Sequence, residues 1–171
     1  TAQEFGNTDP ELASYRFNTT TNSAREEVVR GMELEYSQSL SFLPDMFRGL
    51  NVRASYTRSY ASIPKVNMVP HSINAGLSYS YRKLNSYTNL NWRDNYPSNI
   101  SLTTPRVYRH RANLDIGGGY RITPRMNFFF SARNIFNEPY LIMEKVGANA
   151  PAVQFYEVNG INWTFGIKHV F

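Results

Sequence analysis

The last sixteen residues, Tyr156 to Phe171, carry the feature that most limits what this chain can fold into. Ile161, Trp163, Phe165, Ile167, His169 and Phe171 form one series. Asn162, Thr164, Gly166, Lys168 and Val170 form the other. A period of two belongs to a strand, whose side chains point alternately to opposite faces. The whole of 156–171 is expected as one strand. It exceeds the usual length of about 5–6 residues and is long enough for the about 9–11 tilted residues that cross a bilayer. An apolar face must meet a second layer in a soluble sheet. In a membrane barrel it meets acyl chains, and the polar face lines a lumen.

The rest of the chain repeats this pattern. Strand 28–42 sets Arg30, Met32, Leu34, Tyr36, Gln38, Leu40 and Phe42 against Gly31, Glu33, Glu35, Ser37, Ser39 and Ser41. After a turn at 43–49, strand 50–61 sets Leu50, Val52, Ala54, Tyr56 and Tyr60 against Asn51, Arg53, Ser55, Thr57 and Ser59. Strand 71–82 opposes Ile73, Ala75, Leu77, Tyr79 and Tyr81 to Ser72, Asn74, Gly76, Ser78, Ser80 and Arg82, and a tight turn follows at Lys83-Leu84. Strand 85–94 alternates least regularly. Strand 108–121 sets Tyr108, Ala112, Leu114, Ile116, Gly118 and Tyr120 against Arg109, Arg111, Asn113, Asp115, Gly117, Gly119 and Arg121. Strand 126–136 follows the turn Ile122-Thr123-Pro124-Arg125. Seven strands are expected, with an eighth at 11–18, and no helical periodicity competes.

Composition agrees with strands that have one wet and one greasy face. Aromatics reach 15%, with twelve Tyr and eleven Phe, yet mean hydropathy is −0.46. With no cysteine there is neither a disulfide framework nor a cysteine-based zinc site. No apolar run approaches the about 18 residues of a transmembrane helix, so a membrane location requires a closed barrel. The absence of an initiator Met and of a signal-peptide core at Thr1-Ala2-Gln3-Glu4-Phe5 marks the chain as processed or as a piece of a longer one. The formal charge of +5 comes from arginines spread singly along strands, not clustered on one element, which argues against nucleic acid.

Two patterns favour the membrane over core aromatics in a soluble β-domain. Counted back from the C-terminus, connections alternate: long at 137–155, short at 122–125, long at 95–107, short at 83–84, fairly long at 62–70, then a short turn near 44–49. Outer-membrane barrels have short periplasmic turns and longer external loops. Aromatics also gather near strand ends. Phe42, Tyr79, Tyr81, Tyr120, Phe128 and Phe171 fall at one interface, and Tyr60, Trp92 and Tyr108 at the other, as two aromatic girdles would. On this reading Leu34, Leu77, Leu114, Ile116, Ile161, Trp163, Phe165 and Ile167 face lipid. Glu33, Glu35, Arg53, Arg82, Arg93, Arg109, Arg111, Asp115, Arg121, Arg133 and Lys168 face the lumen. There they contact other protein, water or an anionic solute, or pair with one another if the barrel is narrow.

Asn134-Ile135-Phe136-Asn137-Glu138-Pro139-Tyr140, after Ser131-Ala132-Arg133, resembles the N-L-F-[DN]-x-x-Y stretch near the end of TonB-dependent outer-membrane receptors. Gly31-Met32-Glu33-Leu34-Glu35 resembles an earlier G-x-E-L-E strand of those barrels, and the stretch from Tyr108 to Tyr120 looks like their following hairpin. The resemblance covers about residues 28–171. It implies an all-β, antiparallel up-and-down transmembrane barrel, with 1–171 as the C-terminal portion of a 22-stranded receptor and no plug domain. It further implies uptake of a scarce solute (a siderophore–iron complex, cobalamin, a carbohydrate or a peptide) across the bacterial outer membrane, energised through TonB acting on the plug. The implied partners are outer-membrane lipid, the plug and remaining strands of the same protein, TonB, and the barrel-assembly machinery, which reads a terminal aromatic such as Phe171. The external loops would touch substrate, and Tyr96, Tyr140, Phe155 and Tyr156 lie in or beside them.

Other chemistries find little support. His71, His110 and His169 lie on different strands without H-x-x-x-H spacing, so no metal site or cofactor is expected. Gly117-Gly118-Gly119 sits inside a strand and lacks the phosphate-loop pattern. No G-x-S-x-G occurs, and no enzyme is expected. The rivals that remain are a self-contained eight-stranded barrel of structural or adhesive role, which would pair 11–18 with the last strand, and a soluble ligand-binding barrel with an inward apolar face.

Overall fold

The computed structural model describes residue 6 and residues 9–12, 26–101, 104–145 and 150–170. Apart from a 3-10 turn at Pro10–Leu12, the regular structure in these residues is all strand. Seven long strands are β1 (Val29–Ser39), β2 (Leu50–Ala61), β3 (His71–Tyr81), β4 (Leu84–Arg93), β7 (Arg111–Thr123), β8 (Met126–Arg133) and β11 (Asn162–His169). Four short ones are β5 (Tyr96–Asn99), β6 (Arg106–Tyr108), β9 (Tyr140–Glu144) and β10 (Ala152–Glu157).

The seven long strands form one antiparallel sheet in chain order, β1-β2-β3-β4-β7-β8-β11. Its register separates the two faces cleanly, because directly opposed residues share a face. One row runs Tyr36, Ala54, Ala75, Leu90, Leu114. Further along the same face lie Thr88, Ile116, Ala132 and Trp163, then Tyr120, Phe128 and Ile167. The opposite face carries the row Glu35, Ser55, Asn74, Asn91, Asn113, and beside it Arg53, Gly76, Asn89, Asp115. Arg58, which pairs with Met32 and His71, and Arg30, which pairs with Tyr60, interrupt the apolar face near its edge toward residues 62–70.

The irregular alternation of β4 now has a cause. Tyr87 lies on the polar face directly opposite Gly117, and a Cβ on that glycine would come within 2.5 Å of the tyrosine ring. Phe129 covers Gly166 on the same face, and Arg53 covers Gly76. The glycines are slots into which a large cross-strand neighbour lies flat. Gly118 differs: a Cβ there would sit 2.5 Å from the Asn85 carbonyl oxygen, so backbone itself occupies the space.

The sheet is a single layer. Ala132, at 0% exposure, is the one buried hydrophobic side chain among the described residues, whereas Phe165 is 77% and Trp163 64% exposed. Both outer strands, β1 and β11, have a free edge within the described residues, and no closed barrel forms. No described helix is long and apolar enough to cross a membrane.

Connections alternate between the two ends of the sheet. One end has residues 40–49 and the two-residue turns 82–83 and 124–125. The other has 62–70, 94–110 and 134–161. Here the structure corrects the expected loops. Residues 95–107 contain β5 and most of β6, which form a hairpin, and 137–155 contain β9 and most of β10. The two excursions join through β6–β9 pairing into a second sheet, β10-β9-β6-β5. Tyr108 and Arg109 accordingly leave the strand expected at 108–121. Tyr108 pairs with Tyr96 and Ile142, and Arg109 donates its backbone N–H to the Leu141 carbonyl at 2.9 Å.

Other boundaries also move. The expected strand 156–171 is broken, because Tyr156 and Glu157 belong to β10 and Gly160 at φ 72° turns the chain before β11. The tight turn is Arg82-Lys83, with Arg82 at φ 53°. β8 ends at Arg133 because Asn134 (φ 56°) and Asn137 (φ 51°) take the left-handed region that asparagine tolerates best after glycine. Of the expected strand 11–18, Glu11 and Leu12 belong to the 3-10 turn and 13–18 lie outside the described residues, as does Phe171.

Candidate functional site

The side chains expected to face a lumen fall mostly together. Glu33, Glu35, Arg53, Arg93, Arg111, Asp115, Arg121, Arg133 and Lys168 share the polar face by register. Arg82 sits in its turn with the guanidinium 5.1 Å from the Tyr81 ring centre. Arg109 lies off the wall, in the link between β6 and β7. The expected lipid-facing residues Leu34, Leu77, Leu114, Ile116, Trp163, Phe165 and Ile167 share the apolar face. Ile161 immediately precedes β11 and is exposed.

The large cavities open on the polar face. The central one, about 550 Å³, runs along β1 to β7 between Glu35, Arg53, Ser55, Asn74, Asn89 and Asp115. Arg53 Nη2 donates to Asn89 Oδ1 at 2.6 Å, and Asn74 Nδ2 donates to Ser55 Oγ at 3.2 Å. These groups offer many donors and acceptors beside the apolar surface of Tyr36, Ala54 and Ala75, so they suit water, a sugar or another protein surface.

A second cavity, about 360 Å³, lies where the small sheet meets the end of β4. Arg93, Tyr96, Tyr108, Tyr140, Ile142 and Phe155 line it together with Gln154 and Glu157. Tyr96 and Tyr108 face each other across the β5–β6 hairpin, with ring centres 4.8 Å apart. Arg93 lies 5.9 Å from the Tyr96 ring centre and Arg111 3.9 Å from that of Tyr140. Both distances are within cation–π range. Burial pushes the Tyr96 phenol above the ordinary tyrosine range, against the opposing pull of Arg93. Of the four aromatics expected at substrate, Tyr96, Tyr140 and Phe155 line this one cavity, whereas Tyr156 is exposed outside it.

Local geometry holds the cluster in place. Arg106 Nε donates to Glu144 Oε2 at 2.6 Å, tying β6 to β9. The Asn67 N–H donates to the Pro97 carbonyl at 2.8 Å, so the 62–70 connection touches the β5–β6 hairpin. Lys65 pairs with Glu27. Below the small sheet, Asn134 is 7% exposed and acts as a peg. Its Nδ2 donates to the Gly160 carbonyl at 3.1 Å, its Oδ1 accepts from the Glu138 N–H at 3.1 Å, and its own N–H donates to Asp115 Oδ1 at 2.9 Å. This peg sets where β9 and Tyr140 start.

Sequence reasoning missed Tyr108 as a cavity residue and gave no role to Ser72, Asn91 or Asn113. The one available signal was the near-symmetric placement of Tyr96 and Tyr108 around Pro97 and Pro105. Among the described residues no group of three or more metal-binding side chains occurs. His71 instead meets Tyr56, with 2.8 Å between its Nδ1 and the phenol oxygen. Comparison with protein-family models, curated proteins and solved structures returned no match.

Proposed function

We propose that the chain is wall and external loops of an outer-membrane transport barrel, the C-terminal portion of a TonB-dependent receptor. The observation that carries this reading is a seven-strand meander, one layer thick, with one face largely apolar and bearing many exposed large hydrophobic side chains and the other polar and lined by cavities. In water such a face would be a large aggregation-prone patch. In a bilayer it is the ordinary solvent-matched surface of a barrel wall. The free edges of β1 and β11 then take neighbouring strands of a larger closed barrel, since an open edge is not tolerated in lipid. The inequality of the two ends supports the same reading: two-residue turns on one side, and on the other a second sheet built from long connections. In this reading that sheet faces outward and meets the solute, and the peg at Asn134 belongs to the N-I-F-N stretch that carries the family resemblance.

Two experiments test it. Produced together with the strands that complete its barrel, the protein is expected to refold from urea into phosphatidylcholine vesicles with β-sheet circular dichroism and these strands protected from protease. A folded monodisperse chain in buffer without detergent defeats the membrane reading. The coding sequence upstream of Thr1 tests the receptor part. A plug domain and a TonB box are expected there, and a short leader joined directly to this chain would favour a self-contained small barrel.

A further inference from the structure

On the polar face, β4 and β7 set Arg93 and Arg111 directly opposite each other. Opposed like charges weaken a sheet, so this pair requires a counter-charge. The described ion pairs, Arg48–Asp45, Lys65–Glu27 and Arg106–Glu144, leave both out. The acid in their own ladder row is Glu33, beyond Ser72 and Thr57 and about 14 Å from Arg93 at the usual strand spacing. Glu157 lines the adjoining cavity without reaching ion-pair distance. Arg111 Nε and Asn113 Oδ1 are both buried with no hydrogen-bond partner, an expensive condition unless a ligand relieves it. A cavity of about 340 Å³, lined by both arginines with Ser72, Asn74, Asn91 and Asn113, opens at this place.

We propose that this cavity is an oxyanion site that takes a carboxylate or phosphate group of the incoming solute. The Tyr140 ring lies 3.9 Å from the Arg111 guanidinium and the Tyr96 ring 5.9 Å from that of Arg93, and contacts to a ring face leave the N–H edge of a guanidinium to meet an anion. Ser72 and the asparagines supply neutral hydrogen bonds around the same space. The site itself depends only on the polar face, and calling its ligand a transported solute rests on the reading above.

The test uses the protein as encoded, with the strands that complete its barrel, ¹⁵N-labelled and folded in detergent micelles. Inorganic phosphate, sulfate and acetate are titrated against chloride at matched ionic strength, and the arginine Nε–Hε resonances are followed. Those of Arg93 and Arg111 are expected to shift saturably, while those of Arg121 and Arg133 on the same face stay still. Arg111→Gln should weaken the response about tenfold or more, the worth of one charge-assisted contact. Arg93→Glu should abolish it by supplying a carboxylate in place. A response to phosphate and sulfate alone assigns a phosphoryl-type group, and a response to acetate assigns a carboxylate. The proposal is overturned if none of the three anions gives a saturable shift, or if the shift survives Arg93→Glu. Saturable binding by a chain that is also folded in buffer without detergent would leave the anion site standing and remove the transport reading.

Discussion

Replacing Ile116 by arginine tests which side of the sheet meets hydrocarbon. Ile116 lies on β7 four residues from Ala112 and four from Tyr120, and its cross-strand neighbours are Thr88 and the fully buried Ala132. Four residues span about 13 Å of strand, or about 10 Å along the membrane normal at a tilt of about 40°. That places Ile116 near the middle of an apolar band about 25 Å tall. No carboxylate lies on that face of the seven strands to neutralise a new cation. Ile116→Arg is therefore expected to cost about 2–4 kcal/mol, the penalty for a cation at the midplane. Thr164→Arg, exposed on the polar face of β11 opposite Ser131, is expected to cost less than about 0.5 kcal/mol. In urea unfolding from micelles, followed by Trp92 and Trp163 fluorescence, the first variant should lose about 1–2 M of midpoint at an m-value near 2 kcal/mol/M. The second should match the parent. An unaffected Ile116→Arg beside a crippled Thr164→Arg would show that the faces are assigned the wrong way round.

Three further outcomes follow from local geometry. Gly118→Ala forces a Cβ to within 2.5 Å of the Asn85 carbonyl oxygen and should destabilise by about 1–3 kcal/mol, whereas Gly31→Ala, whose nearest neighbour is 3.4 Å away, should stabilise by about 0.4–1 kcal/mol in the same urea assay. Asn134→Ala loses the bonds to Gly160 and Glu138 and strains φ 56°, for about 2–4 kcal/mol in total. Asn134→Gly should recover the strain of about 1–2 kcal/mol but not the bonds, and equal losses in both variants would refute the peg. The raised Tyr96 phenol means that the folded state holds its proton more tightly than the unfolded chain. This contribution to stability is complete below the ordinary tyrosine range and is lost as pH rises through the folded value. Ultraviolet titration should show a late-ionising phenol that Tyr96→Phe removes.

Much of the large sheet was legible because its information is local. Alternation at Leu34-Glu35-Tyr36 or Asn113-Leu114-Asp115 states both the strand and which residues share a face, and register preserves that division across all seven strands. Alternation misled where it ran through a bend: the apolar–polar rhythm continues across Gly160, so Tyr156 and Glu157 at the end of β10 read as one strand with β11. The irregular rhythm of β4 was equally a tertiary fact written locally, since Tyr87 occupies the polar face to fill a slot left by Gly117 on another strand.

The sequence by itself determined the strand class, the two unlike faces of the sheet and the unequal lengths of its connections, because each depends on neighbours two residues apart or on turn chemistry. Only the tertiary structure decided that two distant connections pair through β6 and β9 into a second sheet. It alone brought Tyr96, Tyr108, Tyr140 and Phe155 around one cavity and set Arg93 opposite Arg111. Those pairings close loops of tens of residues, and their partners are chosen by shape and hydrogen-bond register between segments, which no local period records.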